Sequence, residues 1–100
     1  MGSLSRRSAV VLSLTVVSNP SSRGAAFALE LPCPQRVRVS VYNVAGRQVR
    51  RLRDGILGAG THDLFWNGKD DGGRMAGPGI YWARVKTEGG ARTARVVIVR

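Results

Sequence analysis

Seven short segments of the chain alternate apolar and polar residues with period two, and turn-forming residues separate them; none keeps the spacing of an amphipathic helix. Side chains on a strand point alternately to opposite faces, so each segment has one apolar face that must be covered. The economical solution is two antiparallel sheets laid face to face. In a chain of 100 residues this makes one all-β domain the expectation, large enough to fold without staples.

The densest signal lies in residues 62–85. On its first side His62, Leu64 and Trp66 share one face while Asp63 and Phe65 share the other; on its second side Tyr81, Ala83 and Val85 alternate with Ile80, Trp82, Arg84 and Lys86. Aromatic rings bury about 150 to 250 Å² each, so these positions fix where a small core must be. The expected inward set is Val37, Val39, Val41, Leu64, Trp66, Tyr81, Ala83 and Val85. Between the two sides, Asn67, Gly68, Asp70, Asp71, Gly72 and Gly79 form a turn motif with Pro78, and the whole stretch reads as a hairpin with a long connection.

The remaining segments follow in order. Residues 1–13 form a lead-in and residues 14–100 the domain. Two readings of the start stand side by side. Arg6 and Arg7 followed by an apolar run, with Ala26-Phe27-Ala28 as a small-x-small site, fit an export signal. Val10, Leu12, Leu14 and Val16 equally alternate as a first strand. A turn cluster at residues 18–22 precedes a second strand carrying Phe27, Leu29 and Leu31, which Pro32 and Pro34 end. Val37, Val39 and Val41 alternate with Arg36, Arg38 and Ser40 on a third strand with a basic face in water. Asn43 to Gly46 then turns the chain into a fourth strand over residues 48–52. Residues 55–60 read as a Gly-rich connection plugged by Ile56 and Leu57, and a last strand spans residues 92–99. Seven short strands at this spacing point to an immunoglobulin-like β-sandwich, without the Cys-Trp-Cys signature of antibody domains.

Charge is the one compositional extreme. Lys and Arg number 16 against 6 Asp and Glu, for a net charge of +10. That balance favours anionic partners without choosing among them. Arg36, Arg38, Arg50 and Arg51 are the candidate contacts to an anionic surface. Only Tyr42 is interleaved with them for base stacking, so a solvated basic face is expected ahead of nucleic-acid binding, and an anionic polymer of the cell surface stays open as a partner for it.

Catalytic and metal chemistry find little support. The single Cys33 excludes an intrachain disulfide, and one Cys with one His cannot supply a structural zinc site. Asn67, Asp70 and Asp71 offer oxygen ligands for Ca²⁺, but Lys69 and Pro78 stand where further ligands would be needed; turn formation is the expected role. His62 and Asp63, adjacent on a strand, point to opposite faces and cannot assemble a triad with a Ser. No catalytic residue, cofactor or metal is expected, and no run is long enough for a membrane-spanning helix.

The ordered motifs F-A-L-E-L-P, V-R-V-S-V-Y-N-V-A-G-R-Q-V-R-R-L, G-A-G-T-H-D-L-F-W-N-G-K-D-D-G-G-R and G-I-Y-W-A-R-V resemble the FlgD-type immunoglobulin-like domain. They are similar also to the type A sorting domain of the type IX secretion system, and the resemblance covers residues 14–100. It implies a non-catalytic C-terminal module of a secreted or cell-surface bacterial protein, recognised by secretion machinery or by a neighbouring domain. The alternative is a small basic protein that binds nucleic acid or acidic polysaccharide through an Arg-rich face.

Overall fold

The computed structural model describes residues 13–18 and 24–99. Its strands are all antiparallel and form two sheets. One is ordered β1-β2-β5, from β1 (Ser13–Ser18), β2 (Ala25–Leu31) and β5 (Gly60–Trp66). The other is ordered β4-β3-β6-β7, from β3 (Gln35–Asn43), β4 (Gln48–Leu57), β6 (Gly79–Thr87) and β7 (Gly90–Ile98). This is an immunoglobulin-like β-sandwich. Arg6, Arg7, Val10, Leu12 and the turn residues 19–22 lie outside the described residues.

The inner faces supply the core. Val37, Val39, Val41, Leu64, Trp66, Tyr81, Ala83 and Val85 are all buried, as are Ala25, Phe27, Leu29 and Leu31 of β2 and Val96 and Ile98 of β7. Leu14, Val16, Val49, Leu52 and Leu57 pack around them half-buried. Trp66 is the largest side chain removed from water, and its ring meets that of Tyr81 edge-on, with centroids 5.1 Å apart. Such a pair adds about 0.5 to 1.5 kcal/mol to the area it buries.

That contact corrects the expected hairpin. β5 pairs only with β2, and β6 pairs with β3 and β7, so the two aromatic strands belong to different sheets. Period two tells which face of a strand is buried but not which strand lies beside it. Residues 67–78 therefore cross from one sheet to the other, over the roughly 10 Å that separates packed sheets.

Four further expectations need correction. β4 does not stop at Leu52 but continues to Leu57, with Arg36 opposite Ile56 and Val37 opposite Gly55. The long β3 offers backbone partners along its length, and pairing them outweighs the roughly 0.5 to 1 kcal/mol that a strand Gly costs. Ile56 is accordingly no plug but an exposed side chain, 73% accessible. Gly79 opens β6 opposite Ile98 instead of lying in the turn, and Ser40 is buried instead of facing water.

Gly24, just before β2, is where backbones approach most closely. Its φ is +134°, and a Cβ placed there would sit 1.8 Å from the Trp66 carbonyl oxygen. Only Gly fits.

Candidate functional site

Outward-facing residues of the four-stranded sheet form one continuous basic surface. Residues opposite each other in an antiparallel pair share a face. On β3 and β6, Arg38 lies opposite Lys86, Ser40 opposite Arg84, and Tyr42 opposite Trp82. On β7, Arg95 lies opposite Trp82 and Thr93 opposite Arg84. Arg36, Arg38 and Arg51 converge on the carboxylate of Asp54 at 3.2, 3.8 and 3.8 Å. The strands of the face thus carry Arg36, Arg38, Arg51, Arg84, Lys86 and Arg95 against one acid, Asp54, with Glu88 of the β6–β7 turn at the end of the face beside Arg36, Arg38 and Lys86.

Among the described residues Arg84, Lys86 and Arg95 have no acidic partner. Placing Arg38 across from Lys86 sets like charges directly opposite, which destabilises a sheet. A local arrangement that costs stability without a structural gain is where function is to be sought. Exposed ion pairs such as those around Asp54 contribute only about 0 to 1 kcal/mol, so the carboxylate tethers its neighbours without cancelling their field.

Of the four Arg singled out from the sequence, Arg36, Arg38 and Arg51 meet around Asp54, but Arg50 does not join them. Its Nε lies 4.0 Å from Asp71 and its guanidinium donates to the Asp70 carbonyl at 3.3 Å. The β6 and β7 members, Arg84, Lys86, Arg95 and Trp82, were missed as part of the site because β6 was expected beside β5. Their alternation with Tyr81, Ala83 and Val85 was visible; the pairing of β6 with β3 was not.

The connection 67–78 is a built turn. Asn67 Oδ1 accepts from the Lys69 amide at 3.0 Å, and Asp70 Oδ1 accepts from the amides of Gly72 and Arg74, both at 2.9 Å. Asp71 Oδ1 accepts from the Arg51 amide at 3.1 Å, tying the loop to β4. The two core rings reach it as well: Trp66 Nε1 donates to the Lys69 carbonyl at 2.8 Å and the Tyr81 hydroxyl to the Gly77 carbonyl at 2.7 Å. The side-chain oxygens of Asn67, Asp70 and Asp71 are thus engaged by backbone amides, and no cluster of metal-ligating side chains occurs among the described residues.

His62 and Asp63 fall on opposite faces of β5. His62 Nε2 donates to the Gly58 carbonyl at 2.7 Å, closing the β4–β5 turn, while Asp63 is exposed on the outer face. Nothing brings a nucleophile to either of them among the described residues. β7 is the outermost strand of its sheet, with β6 on its inner side.

The FlgD Ig-like domain is the family whose sequence model matches, over residues 15–91. Two solved structures share the fold. FlgD from P. aeruginosa is 27% identical, with a TM-score of 0.61, covering 89% of this chain and 75% of that one. Dimeric latent PorU from Porphyromonas gingivalis is 21% identical, with a TM-score of 0.72, and covers 89% of this chain. The chain spans only 9% of the length of that PorU. No curated protein matches it.

Proposed function

The chain belongs to the FlgD Ig-like domain family, a family of non-catalytic modules, and from that premise we propose that it sorts or anchors an exported protein through its folded surface. The observation that carries this reading is the membership itself, matched over residues 15–91. Two features support it. His62 Nε2 and the Oδ1 atoms of Asn67, Asp70 and Asp71 are held by hydrogen bonds to turn and strand backbone, the role a structural module gives them. β7 is the outermost strand of the four-stranded sheet, so its outward side chains lie at the margin of the folded surface that a partner would meet. The partner is secretion machinery or a neighbouring domain, and the setting is the exterior or surface of a bacterium.

The test is a reporter fused to the chain in a host that has the candidate secretion machinery. Export is expected to fail on deletion of residues 96–100 and to persist when Arg36, Arg38, Arg50 and Arg51 are replaced by Gln. Export that survives the deletion but fails on the Arg replacement contradicts the sorting reading. Val96 and Ile98 are core residues, so circular dichroism must show that the truncated chain still folds. A substitution that destabilises the fold with residues 96–100 intact, Trp66→Ala, separates loss of the strand from loss of the fold.

A further inference from the structure

Ser40 sits in the middle of the basic face and is only 1% exposed, yet its Oγ has no hydrogen-bond partner. Buried hydroxyls are nearly always satisfied, because leaving one unpaired forfeits its hydration for nothing. Arg38, Tyr42, Arg84 and Lys86 close around it and leave a cavity of about 120 Å³ with Ser40 as its floor. Three cations and a hydroxyl donor therefore face one small space. Two carboxylates are near: Asp54 lies 3.8 Å from Arg38, and Glu88 lines a neighbouring hollow with Arg38 and Lys86 without forming an ion pair with either.

We propose that Ser40, Arg38, Arg84 and Lys86 form a subsite for one tetrahedral oxyanion, a sulfate or phosphate ester carried by an acidic polysaccharide. The oxyanion accepts from Ser40 Oγ, the two guanidinium groups and the ammonium group, which satisfies the hydroxyl and relieves the repulsion between Arg38 and Lys86. Beside the cavity, a hollow of about 360 Å³ is lined by Tyr42, Trp82, Arg84 and Thr93, among others. Trp82 is 38% exposed there, and Tyr42 lies directly opposite it on β3. Tracking a nucleic-acid strand takes several aromatics in succession along the strand's path. One facing pair of rings beside one anion site holds a single unit of a polymer, which suits a sugar that carries its own ester. This inference does not depend on the sorting reading, since the site is built from outward residues of β3 and β6 and uses no residue of β7.

The experiment follows the backbone amides of the full chain by NMR during titration with a sulfated dextran oligosaccharide, inorganic sulfate, and an oligothymidylate of matched charge. The expected result is saturable shifts at residues 38–42 and 82–86 with the oligosaccharide. Arg84→Gln should weaken binding about tenfold or more, the scale of a charge-assisted hydrogen bond. Ser40→Ala should weaken it about threefold or more, again on the scale of one hydrogen bond, yet melt no lower than the parent, because the protein gives that hydroxyl no partner of its own. Unchanged affinity in Ser40→Ala, or shifts spread evenly over all the Arg residues, overturns the subsite. Inorganic sulfate binding as tightly as the oligosaccharide reduces it to an adventitious ion only, and tighter binding of the oligothymidylate assigns the face to nucleic acid. If Ser40→Ala does not fold, the exposed Arg84→Gln carries the same decision.

Discussion

The two outer faces of the sandwich are built on equally apolar inner faces and yet differ in kind. Over β4, β3, β6 and β7 the surface holds six cations, one carboxylate and the partly open ring of Trp82. Over β1, β2 and β5 it holds Glu30 and Asp63, the exposed ring of Phe65, small residues such as Ala28 and Thr15, and no cation among the described residues. A net charge of +10 spread for solubility alone would not be sorted in this way. The core makes the sheets interchangeable as packing layers; among the described residues, only one of the outer faces carries cations.

Breaking the shared core should abolish the comparison altogether. Trp66→Ala empties the largest buried site and removes the edge-on contact with Tyr81, at an expected cost of about 3 to 5 kcal/mol. For a domain of this size the total stability is about 5 to 10 kcal/mol, so the denaturation midpoint should fall by roughly half or more. A midpoint that stays put would place Trp66 outside the core. Gly24→Ala tests the seam between β2 and β5, where a methyl group would meet the Trp66 carbonyl. Strain of this kind costs about 2 to 4 kcal/mol, and a thermal melt indistinguishable from the parent would contradict the close approach.

Smaller effects sharpen the difference between the faces. Replacing Glu30 and Asp63 by Gln and Asn should leave retention on an anionic matrix nearly unchanged, whereas replacing Arg84 and Lys86 by Gln should lower the salt concentration needed for elution. Release of counterions makes such binding fall steeply with ionic strength, and each phosphate or sulfate contact adds to the slope. Equal elution of the two double variants would show that the charges act as one undivided field. Asp54→Asn should have the smallest effect on stability, under about 1 kcal/mol, since its three ion pairs are exposed on the Arg side. It should nonetheless strengthen retention, because the face loses the acid that pairs with three of its Arg residues.

Much of this architecture was legible in the alternation of the strands. Val37, Val39 and Val41 against Arg36 and Arg38 announced both an inner and an outer face, and Leu64, Trp66, Tyr81 and Val85 marked the inner positions. What alternation cannot carry is which strand lies beside which, because backbone hydrogen bonds between strands are the same whatever the side chains. Reading β5 and β6 as one hairpin followed from that gap, and it hid the basic site, for Arg84 and Lys86 acquire their meaning only next to Arg38 and Ser40. Ser40 itself read as a solvated strand residue. Its burial comes from the long side chains of its neighbours folding over it, which no spacing rule within one strand reveals. The turn 67–78 was better marked, since Asn and Asp bond nearby amides through local geometry alone.

The one-sidedness of the surface is the claim on which the binding proposals depend, and it can be measured without any ligand. Paramagnetic relaxation of the backbone amides should be recorded with an anionic and then a cationic soluble probe of equal size, at low salt. The account predicts that outward residues of β3, β6 and β7, among them Arg38, Arg84 and Arg95, relax faster with the anionic probe, and that Glu30, Asp63 and Phe65 on the opposite sheet show the reverse order. The same ratio of the two probes on both faces would contradict it.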